Sequence, residues 1–209
     1  MSKIDDIGLY VITSGKKWKH EEVAEAALKA GVEIIQYREK EAPARVMVEE
    51  AKRIRKLCDE YKATLIVNDR IDVAMACDAD GVHVGQDDIP AEIVAEIFDG
   101  VIGVSVKTVE QAKKVEKYAD YLGAGSAFPT GTKESEVIGL NGIRKIVEAT
   151  SVPVVAIGGI NKENVVEVLK TGVTGVAVVS AVSMADNPEK AAKELLELIK
   201  SFKRTLRNG

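Results

Sequence analysis

Short runs of β-branched and aliphatic residues alternate along this chain with segments whose apolar positions recur every three or four residues. The runs are Gly8–Thr13, Ile34–Glu39, Thr64–Asp69, Gly81–Gly85, Ile102–Val106, Tyr121–Ser126, Pro153–Gly158 and Gly175–Ser180. Their length and residue types predict eight strands. The intervening segments predict helices over Glu21–Ala30, Ala44–Lys62, Ile71–Cys77, Ala91–Phe98, Val109–Tyr118, Gly142–Thr150, Lys162–Thr171 and Pro188–Arg204. Local punctuation agrees. Asn187 before Pro188 reads as N-cap and first helical position, Thr108 with Gln111 as a capping box, and Gly31, Gly100 and Gly172 as helix stops.

Strand–helix alternation implies parallel strands joined by right-handed crossovers. Eight such units in 209 residues fit a closed barrel better than an open doubly wound sheet. The open sheet would carry a glycine-rich dinucleotide fingerprint after its first strand, and none follows Gly8–Thr13. The expected fold is therefore α/β: a single (β/α)8 TIM barrel of parallel strands spanning residues 1–209. Active sites of such barrels lie at the carboxyl ends of the strands, and here those ends turn polar while the strand bodies stay apolar.

Composition narrows the function. The chain is 46% hydrophobic, 30% charged and 4% aromatic, with a net charge of −4. That balance gives no electrostatic reason to expect nucleic acid or an acidic membrane, so any phosphate site must be locally basic. No apolar run reaches the roughly 18 residues a membrane span needs, and the residues after Met1 do not form a cleavable signal. A cytoplasmic protein is expected. Cys58 and Cys77 form no CxxC pair and read as buried thiols in a reducing compartment.

Period-two alternation in strand 2 puts Gln36, Arg38 and Lys40 on one face and Ile35, Tyr37 and Glu39 on the other. An interior face carrying those three suits an anion, with the Arg fork taking two phosphate oxygens. The alternative is a structural ion pair with Glu39 or a nearby Asp. Strand 3 ends in Asn68 and Asp69, and strand 4 in Gln86, Asp87 and Asp88. Two acids on neighbouring strand ends match Mg2+, which takes one or two protein carboxylates and completes its shell with water and phosphate. The alternative is a helix cap, a role that fits Asp87 better than Asp88. His83 alternates with two valines and points inward, by default as a hydrogen-bonded core residue; His20 carries no signal beyond a helix start.

Residues 126–140 make a long polar loop in which Pro129–Lys133 reads as a lid over an anionic ligand, or otherwise as a mobile surface excursion. Gly158, Gly159 and Ser180 fall where many barrels bind a phosphomonoester through backbone N–H groups. Two phosphate regions on one rim, one with a metal, imply two phosphorylated ligands.

Taken in order, Leu9–Thr13, Gln36–Lys40, Asn68–Arg70, His83–Asp88, Gly103–Ser105, Pro129–Lys133, Ile157–Ile160 and Val179–Ser180 resemble the thiamine-phosphate synthase family. The resemblance implies condensation of 4-amino-2-methyl-5-(diphosphomethyl)pyrimidine with a thiazole phosphate, releasing pyrophosphate. It assigns Gln36, Arg38, Lys40, Asn68 and Lys133 to the pyrimidine diphosphate, with Ser105 close by, and Asp69 and Asp88 to Mg2+. Thr130, Thr132, Gly159, Val179 and Ser180 fall to the thiazole phosphate. Because the motifs are continuous stretches, Tyr37, Glu39 and Gly131 enter the substrate-binding set with them. Arg38, Lys40 and Lys133 are the expected catalytic cations, and a homodimer is the expected assembly. The rivals are a thiazole tautomerase of the same superfamily, which needs no diphosphate site, and a non-catalytic barrel that binds phosphorylated metabolites.

Overall fold

The computed structural model describes residues 7–131 and 136–208. Its strands are β1 (Gly8–Ile12), β2 (Ile34–Tyr37), β3 (Thr64–Asn68), β4 (Gly81–Val84), β5 (Val101–Val106), β6 (Tyr121–Gly125), β7 (Val154–Ile157) and β8 (Gly175–Val178). All pair in parallel with their sequence neighbours, and β1 returns to β8 with Gly8 opposite Gly175 and Val11 opposite Val178. The sheet is thus a closed eight-stranded barrel, as the alternation predicts.

The crossover helices are α1 (His20–Lys29), α2 (Ala44–Tyr61), α3 (Ile71–Ala76), α4 (Ala91–Ile97), α5 (Val109–Val115), α6 (Gly139–Ala149) and α7 (Val165–Leu169). After β8 come a four-residue turn of helix, α8 (Ser180–Ser183), and the long α9 (Pro188–Asn208). Among the described residues no helix is long and apolar enough to cross a membrane.

Strand alternation separates two cores. Leu9, Val11, Ile35, Leu65, Val67, Val82, Val84, Leu122 and Val176 point outward and pack against helix residues such as Val23, Ile54, Val94, Ile143 and Leu195. Tyr10, Ile12, Ile34, Ile66, Val101, Tyr121, Val155 and Ala177 fill the barrel. Branched and aromatic side chains suit a sheet that is covered on both faces. The two cysteines are buried in the outer core and unpaired, and burial pushes their thiols up, Cys58 to about 12 and Cys77 to about 11.

Most departures from expectation lie at element ends. Every strand but β5 closes one or two residues early because the chain turns: Asp69 adopts a left-handed backbone (φ +59) immediately after β3. Helix α7 is shorter than expected because Asn161 and Asn164 form side-chain turns, accepting from Glu163 N–H (2.9 Å) and Asn161 N–H (2.9 Å). Gly31 and Gly172 stop their helices at φ +92 and +91, but Gly100 does not share that conformation. Helix α4 ends instead at an extended Phe98, whose ring leaves no room for a Cβ on Gly100. Thr108 accepts from Gln111 N–H, whereas the Gln111 carbonyl oxygen takes Lys107 N–H, so the expected box is shifted by one residue. Helix α9 runs past its expected end at Arg204 to Asn208, and Lys203 Nζ donates to Thr174 O at 2.8 Å.

Candidate active site

The carboxyl ends of the strands surround a cavity of about 390 Å3. Its walls include Gln36, Arg38 and Lys40 from the β2 end, Asn68 and Asp69 from β3, and His83, Gln86, Asp87 and Asp88 from β4 and its loop. Ser105, Tyr121, Thr130, Gly159, Val179 and Ser180 complete it. Residues from seven strand ends thereby face one space. Thr132 and Lys133, the last two residues of the expected lid, lie outside the described residues.

The acidic corner comes from chain geometry. The left-handed turn at Asp69 is anchored by its N–H, which donates to His83 O at 2.8 Å. Asp88 folds back on its own loop, its Oδ2 accepting Gly85 N–H at 2.8 Å. Burial first, and then the Asp88 charge beside it, raise the pKa of Asp69; Lys40 Nζ at 3.5 Å opposes this. Among the described residues the two carboxylates meet one ammonium, an arrangement that a divalent cation would suit. Among the described residues no three His, Cys, Asp or Glu side chains converge on one point, so the protein offers part of a shell. That fits Mg2+, which keeps water and phosphate oxygens in its shell. Asn68 fits too, because its buried Nδ2 has no hydrogen-bond partner among the described residues and lines a site where a phosphate oxygen would supply one.

On the neighbouring strand, Arg38 is half-buried and, among the described residues, no carboxylate pairs with its guanidinium. The expected alternative of an ion pair with Glu39 fails, because Glu39 is used elsewhere. Its Oε1 accepts the N–H groups of Lys40 (2.7 Å), Glu41 (2.8 Å) and Ala42 (3.3 Å), and its Oε2 meets His20 Nε2 at 3.2 Å. Those bonds, the one from Glu41 foremost, lower its pKa. Glu39 therefore shapes the loop that carries Lys40 and does not face the cavity. Tyr37 is corrected likewise: it is buried in the helix layer, and its hydroxyl donates to Glu50 Oε2 on α2 at 2.7 Å. Both follow the strand alternation, which turns odd-numbered residues of β2 outward. Gly131 is exposed and is not part of the wall.

The floor of the cavity carries a network that sequence reading missed. Gln36 Nε2 donates to the Tyr10 hydroxyl (2.6 Å), which meets the Tyr121 hydroxyl (2.9 Å). Tyr121 in turn meets His83 Nδ1 (2.9 Å), and His83 Nε2 meets Ser105 Oγ (2.8 Å). Burial lowers the His83 pKa to about 4, so the imidazole is neutral at pH 7. The inward positions of Tyr10 and Tyr121 were the available signal, since a tyrosine inside a barrel needs a partner for its hydroxyl. His20 was also underread: it is buried, with Nδ1 2.7 Å from Thr13 Oγ1.

Opposite the charged rim, β7 ends in Gly158 and Gly159, both left-handed at φ +103 and +64. A Cβ on Gly159 would stand 2.6 Å from Pro129 O, so only glycine lets the two loops meet. Val179 and Ser180 open the short α8 beside them. Loops after strands 7 and 8 with a short extra helix are a recurrent phosphate-binding arrangement in barrels of this type.

A polar mouth at the carboxyl ends, with anion-binding features on both sides, makes this a (β/α)8-barrel enzyme of phosphorylated metabolites. The sequence profile of the family described as thiamine monophosphate synthase matches residues 9–182, and the chain belongs to that family. The thiamine-phosphate synthase of Archaeoglobus fulgidus is 58% identical over 174 residues, covering 81% of this chain and 83% of that protein. The enzyme of the same name from Pyrococcus furiosus is 52% identical, covering 81% and 84%. A solved structure of thiamine phosphate pyrophosphorylase from Pyrococcus furiosus superposes with a TM-score of 0.90 at 50% identity, covering 95% of this chain and 98% of that one.

Proposed function

We propose that the chain condenses 4-amino-2-methyl-5-(diphosphomethyl)pyrimidine with 4-methyl-5-(2-phosphoethyl)thiazole, or its carboxylated form, giving thiamine phosphate and pyrophosphate. The observation that carries this reading is the meeting of Arg38, Lys40, Asn68, Asp69 and Asp88 in one cavity with Gly159 and Ser180. A diphosphate and a monophosphate could then be held together. A thiazole tautomerase would have no use for the first group of residues.

When bound at Asp69 and Asp88, Mg2+ would supply positive charge to the diphosphate oxygens. Arg38 would grip that group through its fork, Lys40 would add a point charge, and Asn68 Nδ2 would donate to a phosphate oxygen. Lys133 is the third cation expected there. As the carbon–oxygen bond to the methylene breaks, charge grows on the departing pyrophosphate, so these groups act more strongly in the transition state than in the ground state. The electron-rich aminopyrimidine ring spreads the cation left behind, and the thiazole nitrogen attacks it. No side chain need act as nucleophile. Thr130, Gly159, Val179 and Ser180, with Thr132, would hold the thiazole phosphate, and closure of Pro129–Lys133 would keep water from the cation. The proposed setting is the cytoplasm, with small-molecule substrates as partners, no nucleic acid or membrane, and a homodimer as the assembly.

Mixing the protein with both substrates and Mg2+ should release pyrophosphate and form thiamine phosphate. Turnover of the thiazole phosphate alone would point to the tautomerase, and binding without release to a non-catalytic barrel.

A further inference from the structure

The hydrogen-bond chain on the cavity floor draws one residue from each of five strands: Gln36 on β2, Tyr10 on β1, Tyr121 on β6, His83 on β4 and Ser105 on β5. Its tyrosines and Gln36 are almost fully buried, so each polar hydrogen has to find an acceptor within the chain or in the cavity. That requirement gives the chain a direction. A Gln amide nitrogen can only donate, so Tyr10 accepts from Gln36. Tyr10 has one proton and, among the described residues, one remaining neighbour to take it, Tyr121. Tyr121 must then donate to His83 Nδ1. A neutral imidazole accepting at Nδ1 carries its proton on Nε2, which donates to Ser105 Oγ. If Tyr121 donated back to Tyr10, the Tyr10 proton would have no acceptor among the described residues.

The two ends of the chain both line the cavity. At one end Gln36 gives one Nε2 hydrogen to Tyr10, which fixes the amide plane and orients its carbonyl oxygen for a ligand. At the other, Ser105 has accepted from His83 and keeps its hydroxyl proton. We propose that Tyr10, Tyr121 and His83 are positioning residues that fix this polarity. The cavity then offers an acceptor at Gln36 and a donor at Ser105, and selects a pyrimidine bearing an exocyclic amino group and an unprotonated ring nitrogen. The oxo counterpart, with a carbonyl in place of the amino group, would set acceptor against acceptor at Gln36. This inference rests on the proposed condensation. It adds how the pyrimidine is told from its hydrolytic deamination product.

The test has two arms. In the first, pyrophosphate release is measured with the 4-amino pyrimidine diphosphate and with its 4-oxo analogue, for the unsubstituted protein and for Tyr121→Phe and Tyr10→Phe. The unsubstituted protein should favour the amino compound in kcat/KM by about 100-fold or more, as sites built on buried hydrogen bonds do. Either substitution should cut that preference about 10-fold while the KM for thiazole phosphate stays within about twofold. A purely structural role would lower both pyrimidines alike and leave their ratio unchanged, which would overturn the proposal.

In the second arm, histidine 15N spectra of the unsubstituted protein at pH 7.5 read the His83 tautomer without any variant, His83→Gln serving to assign the signal. The Nε2–H form is expected; the Nδ1–H form would reverse the chain and refute it. If the tautomer is as expected but neither pyrimidine releases pyrophosphate, the condensation itself falls and the selection with it.

Discussion

The two sides of the cavity mouth are built by different means. On β2, β3 and β4 the wall is made of polar and charged side chains, the proposed diphosphate and metal ligands Arg38, Lys40, Asn68, Asp69 and Asp88. On β7 and β8 the surface is mainly backbone, exposed by Gly158 and Gly159 and by the start of α8. The difference follows from what each group must do. A leaving pyrophosphate gains charge during the reaction, so charged side chains and a cation stabilise its transition state. On the proposed function, a phosphate that stays on the thiazole changes little and would need only to be held, which neutral N–H groups could do without competing for a metal.

This contrast can be broken or sharpened. The largest effect is expected from Asp69→Ala or Asp88→Ala, each lowering Mg2+-dependent kcat/KM by about 1,000-fold or more with the fold intact by circular dichroism. Full activity in both would remove the metal assignment. Arg38→Ala should cost about 100-fold, with Arg38→Lys recovering only part, because a point charge cannot replace the fork; steady-state rates with saturating thiazole decide this. Next comes Gly159→Ala, whose Cβ would meet Pro129 O at 2.6 Å. It should raise the KM for thiazole phosphate about 10-fold and leave that for the pyrimidine within twofold, a split that kinetics with each substrate varied would show. Chelating Mg2+ should abolish calorimetric binding of the diphosphate yet change thiazole phosphate affinity less than about threefold. The smallest effect belongs to Tyr37→Phe. Activity should stay within twofold while urea unfolding shows a loss of about 1 kcal/mol, since its hydroxyl serves Glu50 and not the ligand.

The barrel was legible because period-two runs and 3.6-residue runs are local signals, and eight of each leave little topological choice. Residues of the cavity wall were legible where a strand end turned polar, as at Asn68 and Asp69. Tyr37 and Glu39 were expected in the binding set with the rest of Gln36–Lys40, and the structure places both outside the cavity wall. Alternation had already put those two residues on the outer face, and the structure follows the alternation. What stayed hidden depends on contacts distant in sequence. Tyr10 and Tyr121 are 111 residues apart, and no local pattern announces that their hydroxyls meet. Helix α8 is a single turn, too short for any periodicity to register.

Tyr121 and His83 fit inside the barrel only because β5 and β6 carry no side chain beside them. A Cβ on Gly103 would run into the Tyr121 ring, and one on Gly123 would stand 3.0 Å from His83. Ring and glycine are therefore interlocked, and neither strand can be rewritten alone. Exchanging the aromatic for an aliphatic leaves a void, and adding a methyl first creates a clash, so both single steps lose stability where the pair together need not. Relatives that discard the tyrosine should have filled the opposing glycine at the same time.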